Sequence, residues 1–367
     1  MEKISFRCNE CGKEYTIETT EFRCSCGGLF DLQYTPPPFS PELIDKKEWS
    51  IFRYRKFLPV TNSFWKDVSM GEGMTPLAAL EENVYVKVDY MMPTLSFKDR
   101  GAALVIAHAK ALGIKKLIQD SSGNAGNSIA AYAARAGMSC EIYVPEDTSP
   151  AKIQMIRSYG AEVRVMPLSR DETARACREA AATGTGYYAS HVYNPLFYQG
   201  TKTFIYETFE QMGRLPGNIF IPVGNGTLLI GAMLAIGELA SSGAIARRPK
   251  IFAVQSERCA PLLNAFTSQK NSPAEITAQK TLAEGIAIGR PARGAQILQS
   301  TQKAGVEFIP APEGRILEAR AKLAQRGFYV EHTTAATYAA YCELIEKRGI
   351  DGDVLIPLCG AGLKSDK

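Results

Sequence analysis

The chain has 367 residues, 46% of them apolar, enough for two cored domains and a small appendage. Its net charge of +4 comes from scattered residues of both signs. No like-charge run marks it for nucleic acid or a membrane surface, and the mild basicity suits a small anionic ligand. Met1–Ser5 carries an early acid and no apolar core, so no signal peptide is expected. The longest apolar stretch, 227–240, is too short to span a bilayer and contains Glu238. A cytoplasmic location follows, and there nine cysteines are expected as thiols or metal ligands, not disulfides.

Residues 1–34 form a Cys-rich head. Cys8-Asn9-Glu10-Cys11 is followed, after twelve residues, by Cys24-Ser25-Cys26-Gly27-Gly28. Two close thiol pairs on two turns place four thiolates around one tetrahedral zinc, a closed and therefore structural site. The second pair is one residue tighter than the common spacing, and a head that keeps its cysteines only for packing is the alternative. Pro36, Pro37, Pro38 and Pro41 then make an extended, non-helical linker.

Strands and helices alternate over the rest of the chain. Strands are expected at 115–120, 140–144, 162–166, 218–223, 250–255 and 353–358. Helices are expected at 124–136, 150–159, 315–325 and 335–348, with another after Gly224-Asn225-Gly226. Such alternation implies parallel sheets and an α/β class, with ligands at the carboxyl ends of strands.

Four motifs lie at such ends or at helix starts. Pro93-Thr94-Leu95-Ser96-Phe97-Lys98-Asp99-Arg100-Gly101 puts Lys98 at a helix N-terminus, where the dipole disfavours an ammonium and favours a nucleophilic amine. An ordinary surface lysine beside Asp99 is the plain alternative. Asp120-Ser121-Ser122-Gly123-Asn124-Ala125-Gly126 joins a strand to a helix and offers N–H groups and hydroxyls to an anion, or simply caps the helix. Pro222-Val223-Gly224-Asn225-Gly226-Thr227 is a second cradle, sized for a phosphate. Leu358-Cys359-Gly360-Ala361-Gly362-Leu363-Lys364 ends the last strand.

In this order, the motifs resemble the fold-type II (tryptophan synthase β-like) pyridoxal-5'-phosphate (PLP) enzymes over nearly the whole chain. Within them the sequence is most similar to the threonine synthase branch. The cysteine head with Cys26-Gly27-Gly28, Gly71-Glu72-Gly73-Met74-Thr75-Pro76-Leu77, and the Lys98, Gly123 and Gly360 motifs carry the likeness. The resemblance implies two doubly wound α/β domains with a small N-terminal zinc-ribbon-like head. The large PLP-binding domain would take 35–95 and 205–367, and a small mobile α/β domain 96–204. It implies that Lys98 binds the cofactor as a Schiff base and moves the α-proton. Asn124 would hydrogen-bond the phenolic oxygen, and Gly224, Asn225, Gly226 and Thr227 would hold the phosphate. Cys359 would face the pyridine nitrogen. Ser121, Ser122, Gly123, Asn124 and Ala125 would bind the substrate carboxylate. Cys8, Cys11, Cys24 and Cys26 would hold a structural zinc. A homodimer acting on a small amino acid is expected by the same analogy.

The activity so implied is that of a lyase turning O-phospho-L-homoserine and water into L-threonine and phosphate. Three departures keep a second activity open, a serine/threonine ammonia-lyase or a β-replacing cysteine or cysteate synthase. Where many threonine synthases carry Asn-Pro-x-Arg for the substrate phosphate, this chain reads Asn194-Pro195-Leu196-Phe197. His191-Val192 replaces a frequent Asn-Ser, and Cys359 replaces a Ser or Thr. Ala283-Glu284-Gly285-Ile286 matches a segment of the deaminating relatives, making Glu284 either a substrate-side acid or a surface carboxylate. With only His108, His191 and His332 in the chain, Lys98 must carry the proton transfers. A binding protein that kept the fold and lost the chemistry is a third possibility, opposed by the intact Lys98 and Asn124.

Overall fold

The computed structural model describes residues 4–365, and Met1–Lys3 of the stretch read for a signal peptide lie outside them. Thirteen strands are present among the described residues. Strands β1 (Ser5–Cys8), β2 (Glu14–Thr16) and β3 (Phe30–Gln33) form a three-stranded antiparallel head in the order β2-β1-β3. Then follow β4 (Leu77–Glu81), β5 (Val84–Lys87), β6 (Lys116–Gln119), β7 (Ser139–Pro145), β8 (Glu162–Met166) and β9 (Tyr187–Tyr188). The last are β10 (Asn218–Pro222), β11 (Lys250–Ser256), β12 (Glu307–Ala311) and β13 (Val354–Pro357).

The chain folds as two compact units. The first comprises residues 1–74 and 98–201 and holds the head and a parallel sheet in the order β8-β7-β6-β9. The second comprises 75–97 and 202–367 and holds a six-stranded sheet, β12-β11-β10-β13-β5-β4, parallel except for β4. This is an α/β architecture. Residues 35–74 lie in the first unit, where Ile51, Phe52, Trp65 and Val68 join its core and Phe52 stacks on Trp65 at 5.0 Å. Apolar side chains at those positions leave the segment no stable alternative to burial.

In each sheet the strand order reverses at one strand. The chain runs β6-β7-β8 to one side of β6 and sets β9 on the other. It runs β10-β11-β12 to one side of β10 and sets β13 on the other. Beyond such strands the flanking connections diverge and leave a crevice at the carboxyl end. The Ser121 turn follows β6, and the Gly224 turn follows β10.

The expected strands and helices are all present, with shifts at their ends. The final helix begins at His332, three residues before its expected start. The elements that sequence patterning missed include short ones such as Tyr187–Tyr188 and also the longer helices Arg170–Ala182, Thr203–Met212 and Gly294–Ala304. The apolar residues of helix Arg170–Ala182 are alanines and Cys177, and the helix starts from a Ser169/Glu172 capping box. No helix among the described residues is long and apolar enough to cross a membrane.

Candidate active site

In the first unit, Lys98 is the first residue of helix Lys98–Ala111. Its Nζ stands 5.7 Å from the centre of the Phe197 ring. Phe197 is fully buried in helix Leu196–Thr201. A Cβ on Gly101 would come within 2.4 Å of that ring, and one on Gly200 within 2.1 Å of the Arg100 carbonyl oxygen. Glycine at both places lets the two helices touch and seats the ring under the lysine. His191 meets the same ring edge-on at 5.8 Å. Burial, followed by the charges of Lys98 and Arg170, holds its pKa well below the ordinary value, so His191 is neutral at physiological pH.

The Ser121–Ala125 turn is tightly built. Its amide at Ser121 donates to Gln119 Oε1 at 2.6 Å, and that at Gly123 to Ser121 Oγ at 3.3 Å. A Cβ on Gly126 would fall 1.8 Å from the Ser121 carbonyl oxygen, so only glycine lets the turn fold over the helix start. Helix Asn124–Arg135 begins with Gly123 at the cap and no side-chain cap.

The second unit gathers the other motifs. Helix Thr227–Ser241 also starts without a side-chain cap, from Gly226 at φ +77°. Gly224 lies against the Glu284–Ile286 turn, where an added Cβ would come 3.0 Å from the Gly285 carbonyl oxygen. Glu284 is exposed on this turn. Two adjacent threonines at the start of helix His332–Arg348 tie the pieces together. The Gly285 N–H donates to Thr333 Oγ1 at 3.0 Å, and the Cys359 N–H to Thr334 Oγ1 at 3.1 Å. Cys359 is buried, and its carbonyl oxygen accepts from the Phe97 N–H at 3.0 Å. Thr333 and Thr334 were not singled out in the sequence, because threonine at a helix start reads as ordinary capping.

In the head, the four sulfurs of Cys8, Cys11, Cys24 and Cys26 lie within 4.8 Å of one another. Three of the pairs are 3.5 Å apart. Tetrahedral zinc at about 2.3 Å from each sulfur would set them about 3.8 Å apart. A backbone hydrogen bond from Cys26 and one from the Tyr15 hydroxyl pull the Cys24 thiol down to about 6. Cys26 is pushed up to about 12: a backbone hydrogen bond at Gly28 opposes the rise, but the thiols of Cys11, Cys24 and Cys8 outweigh it.

These features suit a phosphorylated, carbonyl-bearing cofactor. Both helices start from a glycine cap that brings no side chain, both follow strands at which the sheet order reverses, and glycines keep the approach open. A family model for pyridoxal-phosphate dependent enzymes matches residues 68–360. A threonine synthase of Methanocaldococcus jannaschii is 30% identical over 98% of this chain and 92% of that protein. The chain belongs to the threonine synthase family of pyridoxal-phosphate dependent enzymes. A threonine synthase of Mycobacterium leprae is likewise 30% identical, over 86% of this chain and 88% of that protein. Among solved structures, a threonine deaminase of T.th. is 26% identical at a TM-score of 0.63, over 76% of this chain and 87% of that one.

The motif residues of this threonine synthase relative include a buried acid. Glu72 accepts from the Met70 N–H at 2.8 Å, Tyr132 Oη at 3.0 Å and Ser69 Oγ at 3.1 Å. Burial outweighs these bonds and pushes its carboxyl up to about 7 from an ordinary 4.5. The folded chain therefore keeps a proton that the unfolded chain gives up. Stability falls as pH rises from 4.5 to about 7, by about 3 kcal/mol in all. Glu72→Gln is expected to flatten that part of the stability profile. Urea unfolding at pH 5 and pH 8 checks this, and an unchanged slope in the variant would refute it.

Proposed function

We propose that the protein converts O-phospho-L-homoserine and water into L-threonine and phosphate. The observation that carries this reading is the extent of the likeness. The match to the Methanocaldococcus jannaschii protein takes in 98% of the chain, so it spans the cysteine head as well as both units.

When bound, pyridoxal phosphate supplies an electron sink for the carbanion at the substrate's Cα. Lys98 would hold it covalently through Nζ, and the same Nζ would take and return protons at the substrate carbons. The amides of Gly224, Asn225, Gly226 and Thr227 hold its phosphate, and Asn124 donates to its phenolic oxygen. Cys359 would face the ring nitrogen as a weak donor and would supply it no proton. That limits charge delocalisation and favours prompt loss of a leaving group. Ser121, Ser122, Gly123, Asn124 and Ala125 orient the substrate carboxylate. Glu284, exposed on its turn, would be an acid on the substrate side. The C–O bond to phosphate at Cγ breaks, and water adds its oxygen at Cβ.

One feature favours a second reading, a serine/threonine ammonia-lyase or β-replacing enzyme. The apolar Phe197 ring lies beneath Lys98 Nζ, and Phe197 offers a substrate phosphate no charge. The assay that separates the two incubates the PLP-loaded protein with O-phospho-L-homoserine, L-threonine, L-serine and O-phospho-L-serine, with and without sulfide or sulfite. Phosphate and threonine released together from the first substrate are expected. Keto acid or a thiol product from another, with no turnover of the first, would establish the second reading.

The four head cysteines are proposed to hold one structural zinc, on the strength of their sulfur spacing. Elemental analysis is expected to find one zinc per chain, and its absence from a folded head would overturn this. A cytoplasmic homodimer completes the reading. The homodimer rests on family analogy. Light scattering of the purified protein tests the oligomeric state, where a monomer would exclude the homodimer.

A further inference from the structure

The head makes contacts that its own small core does not require. Phe22 sits in the loop between β2 and β3, two residues before Cys24, and packs into a second cluster apart from the cysteines. Its ring meets Tyr188 edge-on at 5.2 Å and Tyr193 at 5.6 Å. Asp31 of β3 accepts a hydrogen bond from Tyr198 Oη. Both contacts fall on one segment, Tyr187–Tyr198, the segment that carries His191 and Phe197 beside Lys98.

That segment is bonded in turn to the carboxylate turn. Tyr188 Oη donates to Asp120 Oδ1 at 2.6 Å, and Asp120 immediately precedes Ser121. Asn194 Nδ2 donates to Tyr187 Oη at 2.7 Å, while Asn194 Oδ1 accepts from the Leu196 N–H at 3.0 Å and fixes the entry to the Phe197 helix. A continuous run of packed rings and hydrogen bonds therefore leads from the cysteine loop to the turn that follows β6. All of it lies in the first unit.

We propose that the Cys-rich head positions the substrate side of the first unit. Phe22, with Asp31, holds the Tyr187–Tyr198 segment and, through the Tyr188–Asp120 hydrogen bond, the Ser121–Ala125 turn. Phe22 and Tyr188 are positioning residues, because they act through the turn and the segment. The inference rests on the proposed role of that turn in carboxylate binding. The metal enters as the group that stiffens the loop bearing Phe22.

The test uses the full-length PLP-loaded protein. Edge-on aromatic pairs contribute enough beyond their buried area for Phe22→Ala to raise KM for O-phospho-L-homoserine about tenfold. The value of kcat is expected to change far less, and zinc content not at all. Hydrogen exchange is expected to speed up at 119–125 and 187–198 and to stay unchanged at 218–230. Tyr188→Phe keeps the ring and removes the hydroxyl, so it should speed exchange at 119–125 with little effect on the head. Phe22→Tyr should restore the parent behaviour. Stripping zinc with a chelator should reproduce the Phe22→Ala exchange pattern. Unchanged exchange at both segments in Phe22→Ala and Tyr188→Phe would overturn the inference, and so would acceleration spread evenly over the chain. If the parent protein holds no zinc, or does not turn over this substrate, those separate readings fall. The exchange comparison still decides this one.

Discussion

Replacing Lys98 with alanine is expected to lower kcat/KM by at least about 10³-fold, the scale set by losing both a covalent attachment and the group that moves protons. The visible absorbance of the lysine-linked cofactor should vanish with it. Cofactor binding itself should persist in part, because the Gly224–Thr227 amides do not depend on the lysine. His191, packed against the same Phe197 ring, cannot stand in for the amine, being a half-buried imidazole that its surroundings keep neutral. Absorbance spectra, equilibrium dialysis with PLP and steady-state rates on one preparation check all three points. A variant retaining more than a tenth of the parent rate would remove Lys98 from its proposed role. Partial recovery with a small added primary amine would place the loss at the missing Nζ and not in misfolding.

The second large effect is on stability. Lys87 of β5 is fully buried, with Nζ 2.9 Å from the equally buried Glu207 carboxylate, 2.5 Å from the Thr75 carbonyl oxygen and 2.7 Å from Thr75 Oγ1. Thr75 also donates to Asp89 Oδ1 at 2.7 Å. Lys87→Met takes the ammonium away from a carboxylate that water cannot reach. Breaking such a pair from one side costs about 3–5 kcal/mol. The double variant Lys87→Met, Glu207→Gln removes the buried charge with its partner and should recover much of that loss. Urea unfolding of the two variants beside the parent measures both quantities. A single variant within about 1 kcal/mol of the parent would show that the pair contributes little. The Thr75 of the Gly-Glu-Gly-Met-Thr-Pro motif thereby has a structural task, which its sequence context did not suggest.

Much of the fold was legible because its signals are local. The run Glu162–Met166 reads as a strand from its β-branched residues and is one. The turns after β6 and β10 read as anion cradles because glycine, serine and asparagine shape a chain within a few residues of themselves. Weak local signals were missed: Tyr187–Tyr188 is only two residues long, and the apolar face of helix Arg170–Ala182 is made mostly of small alanines.

By itself, the sequence determined the alternation of strands and helices, the paired cysteines, the lysine at a helix start and the family to which these belong. Tertiary structure alone decided the partnerships. Lys87 with Glu207, Phe22 with Tyr188, and Gly285 and Cys359 with adjacent threonines of one helix are each joined across long stretches of chain. A residue type fixes what a side chain can bond to. Which distant partner it meets depends on chain closure and on the burial that repays its entropy, and no local pattern records that.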